Sequence, residues 1–121
     1  MRYLCAVYLE PKSMEKLSPA EGATLDRDSI AYDDELRRSG HYIVSDALQR
    51  ATTAKTLRVR NGKLSVTDGP FAETKEQLGG FILVEASNMD EAVELASKIP
   101  MAKYGTIEVR PIMDLSSKSK S

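Results

Sequence analysis

The chain has 121 residues and a formal net charge of −1, with 41% hydrophobic and 29% charged residues. Such a length fits one domain with its own core, and the composition is ordinary for a soluble globular protein. A charge near zero excludes the broad basic surface on which general nucleic-acid binding depends, so no nucleic-acid partner is expected.

Residues 2–9, RYLCAVYL, are apolar at both alternating positions, which predicts a central strand buried on both sides. Cys5 is the single cysteine, so a disulfide framework is excluded, and this residue is interpreted as a small apolar filler rather than a nucleophile. The sequence enters this strand without a leader pattern and has no apolar stretch of about 20 residues. We therefore expect a cytoplasmic protein with no membrane contact.

A capping-box pattern at Ser18 and Glu21 indicates the start of a helical segment. Gly22 is expected to interrupt that segment early, so the main helix is predicted from about Asp26 to Ser39, with Gly40 as the stop. Residues 41–48, HYIVSDAL, are then predicted to form the second strand.

The Asn61-Gly62 pair is a strong signal for a β-hairpin, because both central residues of that turn need positive φ. A two-residue loop places Val59 opposite Leu64 and Leu57 opposite Val66. Apolar residues thus pair with apolar residues, which predicts one buried side and one wet side.

The remaining segments complete the predicted architecture. They are the strand FILVEA (81–86), a helix capped by Asn88 and Glu91 and ended near Lys98 and Pro100, and the strand TIEVRPI (106–112). Without the hairpin the order is βαβ followed by βαβ, which predicts an α+β ferredoxin-like antiparallel sheet with both helices on one face. The first and third strands of this core should be central and the other two should be edges.

Helices on one face leave the other face of the sheet open, although the central strands look buried on both sides. A second copy of the chain is the simplest cover, so we predict a homodimer that packs sheet to sheet. The domain is predicted to occupy residues 1–113, and residues 114–121 are predicted to be a disordered polar tail.

The connection TDGPFAETKEQLGGF (67–81) combines several turn signals. Asp68-Gly69-Pro70 is typical of a turn closed by the Asp side chain, and Thr74 with Gln77 predicts one helical turn from Thr74 to Leu78. Phe71 is expected to anchor this connection in the core.

The run VTDGPFAETKEQLGGF, together with the terminal IEVRPI, resembles the DGPF branch of the YCII-related family. The resemblance covers nearly the whole chain and implies a ferredoxin-like fold of the dimeric α/β-barrel type. The family's activity is largely unassigned. Members of this branch often lie beside genes for sigma factors of the extracytoplasmic-function type, so the resemblance implies a regulatory link to transcription and a sigma factor as a partner.

In the wider family, an enzymatic role rests on a histidine in the first helix and an Asp-Pro after the second helix. The corresponding part of the first helix here, near Ser29 and Ile30, has no histidine. The Asp-Pro position reads Ile99-Pro100. Catalysis by that pair therefore does not carry over to this chain.

The residues themselves offer a small set of candidates. Asp68 and His41, the single histidine, are the candidate acid–base residues, because a carboxylate and an imidazole can exchange protons near neutral pH. The candidate ligand-binding residues are Asp68, Phe71, Glu73, Lys75 and Arg110. Arg110 would orient a small anionic ligand through its fork of donors, unless it pairs with Glu73 or Glu76. Weaker candidates are Tyr32, Asp33 and Asp46.

No nucleotide-binding loop, nucleophile elbow or zinc spacing is present, so neither a cofactor nor a metal is expected. Two classes of function stay open. The first is a dimeric small-molecule-binding or regulatory module, which the sequence favours. The second is a small acid–base enzyme that acts on an anionic metabolite in a pocket near the DGPF motif.

Overall fold

Six strands and three helices make up residues 1–116, the part of the chain that the computed structural model describes. The strands are β1 (Arg2–Leu9), β2 (Tyr42–Ala47), β3 (Lys55–Arg60), β4 (Lys63–Asp68), β5 (Gln77–Glu85) and β6 (Thr106–Pro111). The helices are α1 (Pro11–Glu15), α2 (Pro19–Arg38) and α3 (Met89–Ser97), with short 3₁₀ turns at Ala51–Thr53 and Pro100–Lys103.

Four strands form one antiparallel sheet in the order β2–β5–β1–β6, and β3 pairs only with β4 in a separate two-stranded ribbon. In the centre of the sheet, Cys5 lies opposite Ile82 on one side and Val109 on the other. The predicted ferredoxin-like order is confirmed, with β1 and β5 central and β2 and β6 at the edges.

The core lies between the sheet and the two long helices. Tyr3, Cys5, Ile82 and Val84 supply its sheet side, and Cys5 has no exposed surface. The helices contribute a set of buried residues that includes Tyr32, Leu36, Ala92, Ala96 and Ile99. The small residues of α3 let this helix approach the sheet closely, so one hydrophobic cluster fixes both helices on the same face.

Helix α2 begins earlier than the sequence predicted. Glu21 donates its backbone N–H to Ser18 Oγ over 3.1 Å, and Ser18 donates its own N–H to Glu21 Oε1 over 3.0 Å. Gly22 donates its N–H to the carbonyl oxygen of Ser18 over 2.9 Å, so the helix runs through this glycine. The prediction of a start near Asp26 was wrong because the cap nucleates the helix at its first turn.

The second face of the main sheet carries no helix. Along β1 the side chains alternate, so Leu4, Ala6 and Tyr8 lie on the side opposite to the core. Leu4 pairs with Leu83 and Ala6 with Phe81, and paired residues share a face. We call this aliphatic and aromatic surface the open face.

The hairpin has the predicted register but not the predicted burial. Leu57 lies opposite Val66 and Val59 opposite Leu64, as the turn chemistry required. All four side chains are exposed, by 52–64%. The prediction that this side is buried was wrong for the single chain, because the hairpin projects beyond the main sheet and no other element packs on it.

The predicted tail, residues 114–121, lies mostly outside the described residues. Within residues 1–116, no helix is both long enough and apolar enough to cross a lipid bilayer.

Candidate functional site

The DGPF loop, residues 69–76, joins β4 to β5. At its start, Gly69 has a φ of 92° and donates its N–H to the carbonyl oxygen of Ala54 over 2.7 Å. Thr56 donates its hydroxyl to the Gly69 carbonyl oxygen over 2.8 Å. These two bonds tie the loop to the base of the hairpin, and only a glycine adopts that backbone conformation without strain.

Asp68 points to solvent and forms an ion pair with Lys55 on the neighbouring strand. Its side chain is 85% exposed. The carboxylate therefore helps to close the base of the hairpin across the two strands, in place of the expected bond to its own backbone. Because this carboxylate is exposed, paired with Lys55 and outside any enclosed pocket, Asp68 is a poor acid–base candidate.

Phe71 does not anchor the loop in the core, because its side chain is 80% exposed. The prediction was wrong because the loop runs over the outside of the molecule. The Phe71 ring therefore does not reach the hydrophobic core between the sheet and helices α2 and α3. Glu73 is also exposed and forms no ion pair within residues 1–116. The first half of the loop thus gives no enclosed ligand site.

The second half of the loop is ordered by one side chain. Gln77 donates its amide N–H groups to the carbonyl oxygens of Ala72, over 3.2 Å, and Thr74, over 2.9 Å. The predicted helical turn from Thr74 to Leu78 was wrong, because Gln77 already belongs to β5 and pairs with Leu9 of β1. The Thr-x-x-Gln pair therefore closes a loop instead of capping a helix.

A cleft of about 570 Å³ opens beside this ordered half of the loop. It lies at the loop end of the sheet, which we define as the end where β1 and β2 stop and β5 and β6 begin. Seven residues line it: Tyr8, Glu10, Thr74, Lys75, Glu76, Thr106 and Glu108. Tyr8, Thr106 and Glu108 lie on the open face, so the cleft joins that face to the loop.

Two polar contacts hold the walls of the cleft together. Thr106 donates its hydroxyl to Glu76 Oε1 over 2.9 Å, which ties the loop to the first residue of β6. Lys75 Nζ lies 3.6 Å from Glu10 Oε2, which ties the loop to the end of β1. The loop is thus attached to both neighbouring strands at the point where the cleft opens.

The electrostatic character of the cleft is acidic. Its lining includes the carboxylates of Glu10, Glu76 and Glu108 but only one ammonium group, that of Lys75. Arg110 does not line the cleft, but it pairs with Glu108 over 3.2 Å along its own strand and so balances that one carboxylate. The alternative pairing of Arg110 with Glu73 or Glu76 is not formed.

His41 lies at the other end of the sheet. Its Nδ1 is 2.8 Å from the carbonyl oxygen of Glu85, the last residue of β5, and 3.9 Å from Glu91 Oε1. Glu85 lies six positions after Gly79 along β5, which corresponds to about 20 Å. His41 therefore lies far from the DGPF loop, and the structure does not bring the two candidate acid–base residues, His41 and Asp68, together.

Two of the three weaker candidates, Tyr32 and Asp33, have structural roles, whereas Asp46 is exposed. Tyr32 donates its hydroxyl to the carbonyl oxygen of Leu95 over 2.6 Å, and its burial raises the pKa of the phenol to about 12. Asp33 accepts a hydrogen bond from the Ser45 hydroxyl over 2.9 Å, which joins α2 to β2. Burial also raises the pKa of the Cys5 thiol to about 11, so this group is not poised as a nucleophile.

Sequence reasoning selected Lys75 but missed Tyr8, Glu10 and Thr106 as lining residues. Tyr8 and Thr106 lie in strands and Glu10 directly follows β1, and these segments meet the loop only after folding, so no local pattern could identify them. One signal was available. Gly105 precedes β6, and a Cβ there would overlap the carbonyl oxygen of Tyr8, which marks a close approach of the two strands.

A second, smaller cavity of about 200 Å³ lies at the same end of the sheet, under helix α1. Its walls are mostly apolar, with Leu9, Pro11, Met14, Leu48 and Leu78 among the lining residues. Among residues 1–116, no group of three or more His, Cys, Asp or Glu side chains is arranged to hold a metal ion.

Comparison with known proteins agrees with this architecture. An uncharacterised protein of Rhizobium meliloti (strain 1021) is 36% identical over 114 residues, which cover 93% of this chain and 92% of the relative. Among solved structures, the 5-chloro-2-hydroxyhydroquinone dehydrochlorinase of Burkholderia phenoliruptrix AC1100, in complex with 2,5-dihydroxybenzoquinone, superposes with a TM-score of 0.55. That structure is 18% identical and the match covers 93% of this chain and 94% of the other, so it shows a shared fold. A model of the YCII-related domain matches residues 1–116, and the chain therefore belongs to the YCII-related family.

Proposed function

We propose that the chain is a dimeric small-molecule-binding module whose ligand occupies the cleft at the loop end of the sheet. The observation that carries this proposal is the attachment of the DGPF loop to two strands through Thr106–Glu76 and Lys75–Glu10. These contacts hold polar groups in place around about 570 Å³ of space, which is the size range of small-molecule sites.

The lining defines the class of ligand. Carboxylates accept hydrogen bonds, and the hydroxyls of Tyr8, Thr74 and Thr106 can donate or accept. The three carboxylates exceed the two cations paired with them, Lys75 and Arg110, by one charge, and so favour a neutral or cationic molecule with several hydroxyl or amino groups. They disfavour the anionic ligand that Arg110 suggested, because Arg110 is engaged by Glu108.

The open face supports the proposal of a dimer. Leu4, Phe81 and Leu83 are only partly covered by their own chain, and Val44 at the edge of the same sheet is 39% exposed. Aliphatic and aromatic side chains clustered on a sheet face indicate burial against another surface. A second copy provides that surface and places two clefts in one assembly. Within the family, the DGPF motif at residues 68–71 supports a place in the DGPF branch. The sigma-factor partnership that this branch suggests gains no support from the cleft.

An acid–base enzyme is the second candidate. The observation that favours it is the fold shared with a dehydrochlorinase bound to a dihydroxybenzoquinone. In this chain the Glu76 carboxylate and the Tyr8 phenol line the same cleft, so Glu76 would be the base, and neither Asp68 nor His41 would take part. In this version Glu76→Gln abolishes turnover and leaves ligand binding largely intact, whereas a binding module loses the ligand itself.

A thermal-shift screen of neutral and cationic polar metabolites tests the proposal. A ligand at about 100 times its Kd adds about 2.7 kcal/mol, which raises the Tm by about 10 °C for a domain of this size. We expect Glu76→Gln to abolish the rise in Tm, because Glu76 lines the cleft. Asp68→Asn should keep the rise, because Asp68 lies at the base of the hairpin, the alternative location of the site. A hit lost only in Asp68→Asn would move the site to the hairpin, and the absence of any hit would refute a small-molecule role.

A further inference from the structure

The β3–β4 hairpin has one side that its own chain leaves uncovered. Leu57, Val59, Leu64 and Val66 share this side and are exposed by 63%, 56%, 64% and 52%. Four large aliphatic side chains on one ribbon form a patch of the kind that marks an interaction surface. An isolated two-stranded ribbon is also marginally stable in water, so this element gains most from a partner.

The opposite side and the tip of the hairpin are basic. Arg60 and Lys63 flank the turn and lie directly opposite each other, an arrangement in which like charges repel. Within residues 1–116 neither residue forms an ion pair, and Arg60 donates only to the carbonyl oxygen of its neighbour Val59, over 3.1 Å. Two unbalanced cations at the tip of an arm fit an acidic surface on the molecule that the arm contacts.

The chain itself supplies both surfaces that this arm requires. The open face offers an apolar surface, and the cleft at its loop end offers the carboxylates of Glu10, Glu76 and Glu108. The chain's own hairpin does not pair with any of these carboxylates, since each has a different partner: Lys75, Thr106 and Arg110 respectively. A second copy of the chain is therefore the occupant with complementary apolar and charged surfaces.

The dimensions fit this arrangement. Each hairpin strand has six residues, so the arm is about 20 Å long, and a four-stranded sheet is about 19 Å wide. The arm can thus cross the whole sheet of a partner. The open face by itself has an area of about 450 Å². This area is well below the roughly 800 Å² that each partner of a stable interface buries. The hairpin adds the area that the sheet lacks.

We propose that two copies exchange their β3–β4 hairpins. The aliphatic side of each hairpin lies on the partner's open face, and its tip, flanked by Arg60 and Lys63, lies beside the carboxylates of the partner's cleft. The arrangement is isologous, so the same contact forms twice. This inference rests on the dimer of the proposed function, and it makes each cleft a site with walls from two chains.

Cross-linking between two singly substituted proteins tests the contact at the tip. Lys63→Cys protein is mixed with Glu76→Cys protein and treated with a short bifunctional maleimide. Cys5 is buried and does not compete. We expect a covalent heterodimer that neither protein forms alone to the same extent. Asp28→Cys, on the exposed surface of α2, is the matched control and should give no product with Lys63→Cys.

Sedimentation equilibrium tests the aliphatic side. Leu57→Asn with Leu64→Asn should raise the dissociation constant of the dimer by about 100-fold or more, because each substitution acts twice in a symmetric interface. Ser65→Asn, on the other side of the same strand, should change it by less than about threefold. Circular dichroism should show that all variants keep the fold, since these residues contribute nothing to the core.

The outcomes separate this inference from the proposed function. A dimer that is unaffected by Leu57→Asn with Leu64→Asn, and that gives no Lys63→Cys to Glu76→Cys product, overturns the exchange and leaves the dimer standing. A wild-type monomer at micromolar concentration overturns both.

Discussion

Replacing Gly105 with alanine tests how closely β6 approaches β1 beside the cleft. A Cβ at this position would overlap the carbonyl oxygen of Tyr8 and would lie 3.2 Å from its carbonyl carbon and 3.4 Å from the Cα of Leu9. These are backbone atoms, which cannot rotate away as a side chain can. Either β6 shifts relative to β1 or the first pair of their ladder, Tyr8 with Thr106, opens.

The expected cost combines two terms. Overpacking costs about 1–3 kcal/mol, and a lost ladder hydrogen bond adds about 1 kcal/mol. We therefore expect Gly105→Ala to lower the free energy of unfolding by about 2–4 kcal/mol. At about 4 °C per kcal/mol for a domain of this size, the Tm should fall by about 8–16 °C.

Urea unfolding followed by circular dichroism measures this change. Gly22→Ala is the matched control, because a Cβ at Gly22 meets no atom within 4 Å and this residue lies inside α2. Alanine should stabilise that position by about 0.5 kcal/mol. If Gly105→Ala unfolds within about 0.5 kcal/mol of the wild type, the close approach of β6 to β1 is refuted.

Three further predictions concern the core and a helix cap. Burial raises the pKa of the Cys5 thiol from 9.0 to about 11, so the native state keeps a proton that the unfolded state has lost between these values. The free energy of unfolding should therefore be unchanged below pH 9 and should fall as the pH rises toward 11. In urea titrations at pH 8 and 10.5, Cys5→Ala should reduce the difference in the free energy of unfolding between the two pH values. Tyr32→Phe removes the bond to the carbonyl oxygen of Leu95 and should cost about 1–2 kcal/mol in urea unfolding, and an unchanged midpoint would contradict that role. Asn88→Ala removes the acceptor for the Glu91 N–H at the start of α3, so it should lower the free energy of unfolding in urea by about 1 kcal/mol. Asn88→Ser should keep most of the wild-type stability, because serine also caps helices.

Features set by local chemistry were predicted correctly from the sequence. The register of the hairpin follows from its turn, where Asn61 and Gly62 have φ values of 53° and 75°. The start of α3 follows from the side chain of Asn88, and the strand order follows from which strands are apolar on both sides. Each of these depends on residues that are close in the chain or on simple burial patterns.

The cleft could not be predicted in the same way. The Thr106–Glu76 contact joins residues 30 positions apart, and it exists only because β6 pairs with β1 in one register. The same limit explains two wrong predictions within the DGPF loop. Gln77 follows Thr74 by three residues, which is the spacing of a helix-capping pair. Its backbone instead pairs with Leu9 in the sheet, so no helix forms. Phe71 was assigned to the core by its hydrophobicity alone, although the path of the loop keeps it outside.

The hairpin is closed at its own base by the Gly69 to Ala54 and Thr56 to Gly69 hydrogen bonds, and it adds no residue to the core. It should therefore open as a separate cooperative unit, with a free energy well below that of global unfolding. Its amide protons should exchange with deuterium much faster than those of β1 and β5 in a dilute sample. At high protein concentration, association would slow that exchange for the hairpin first.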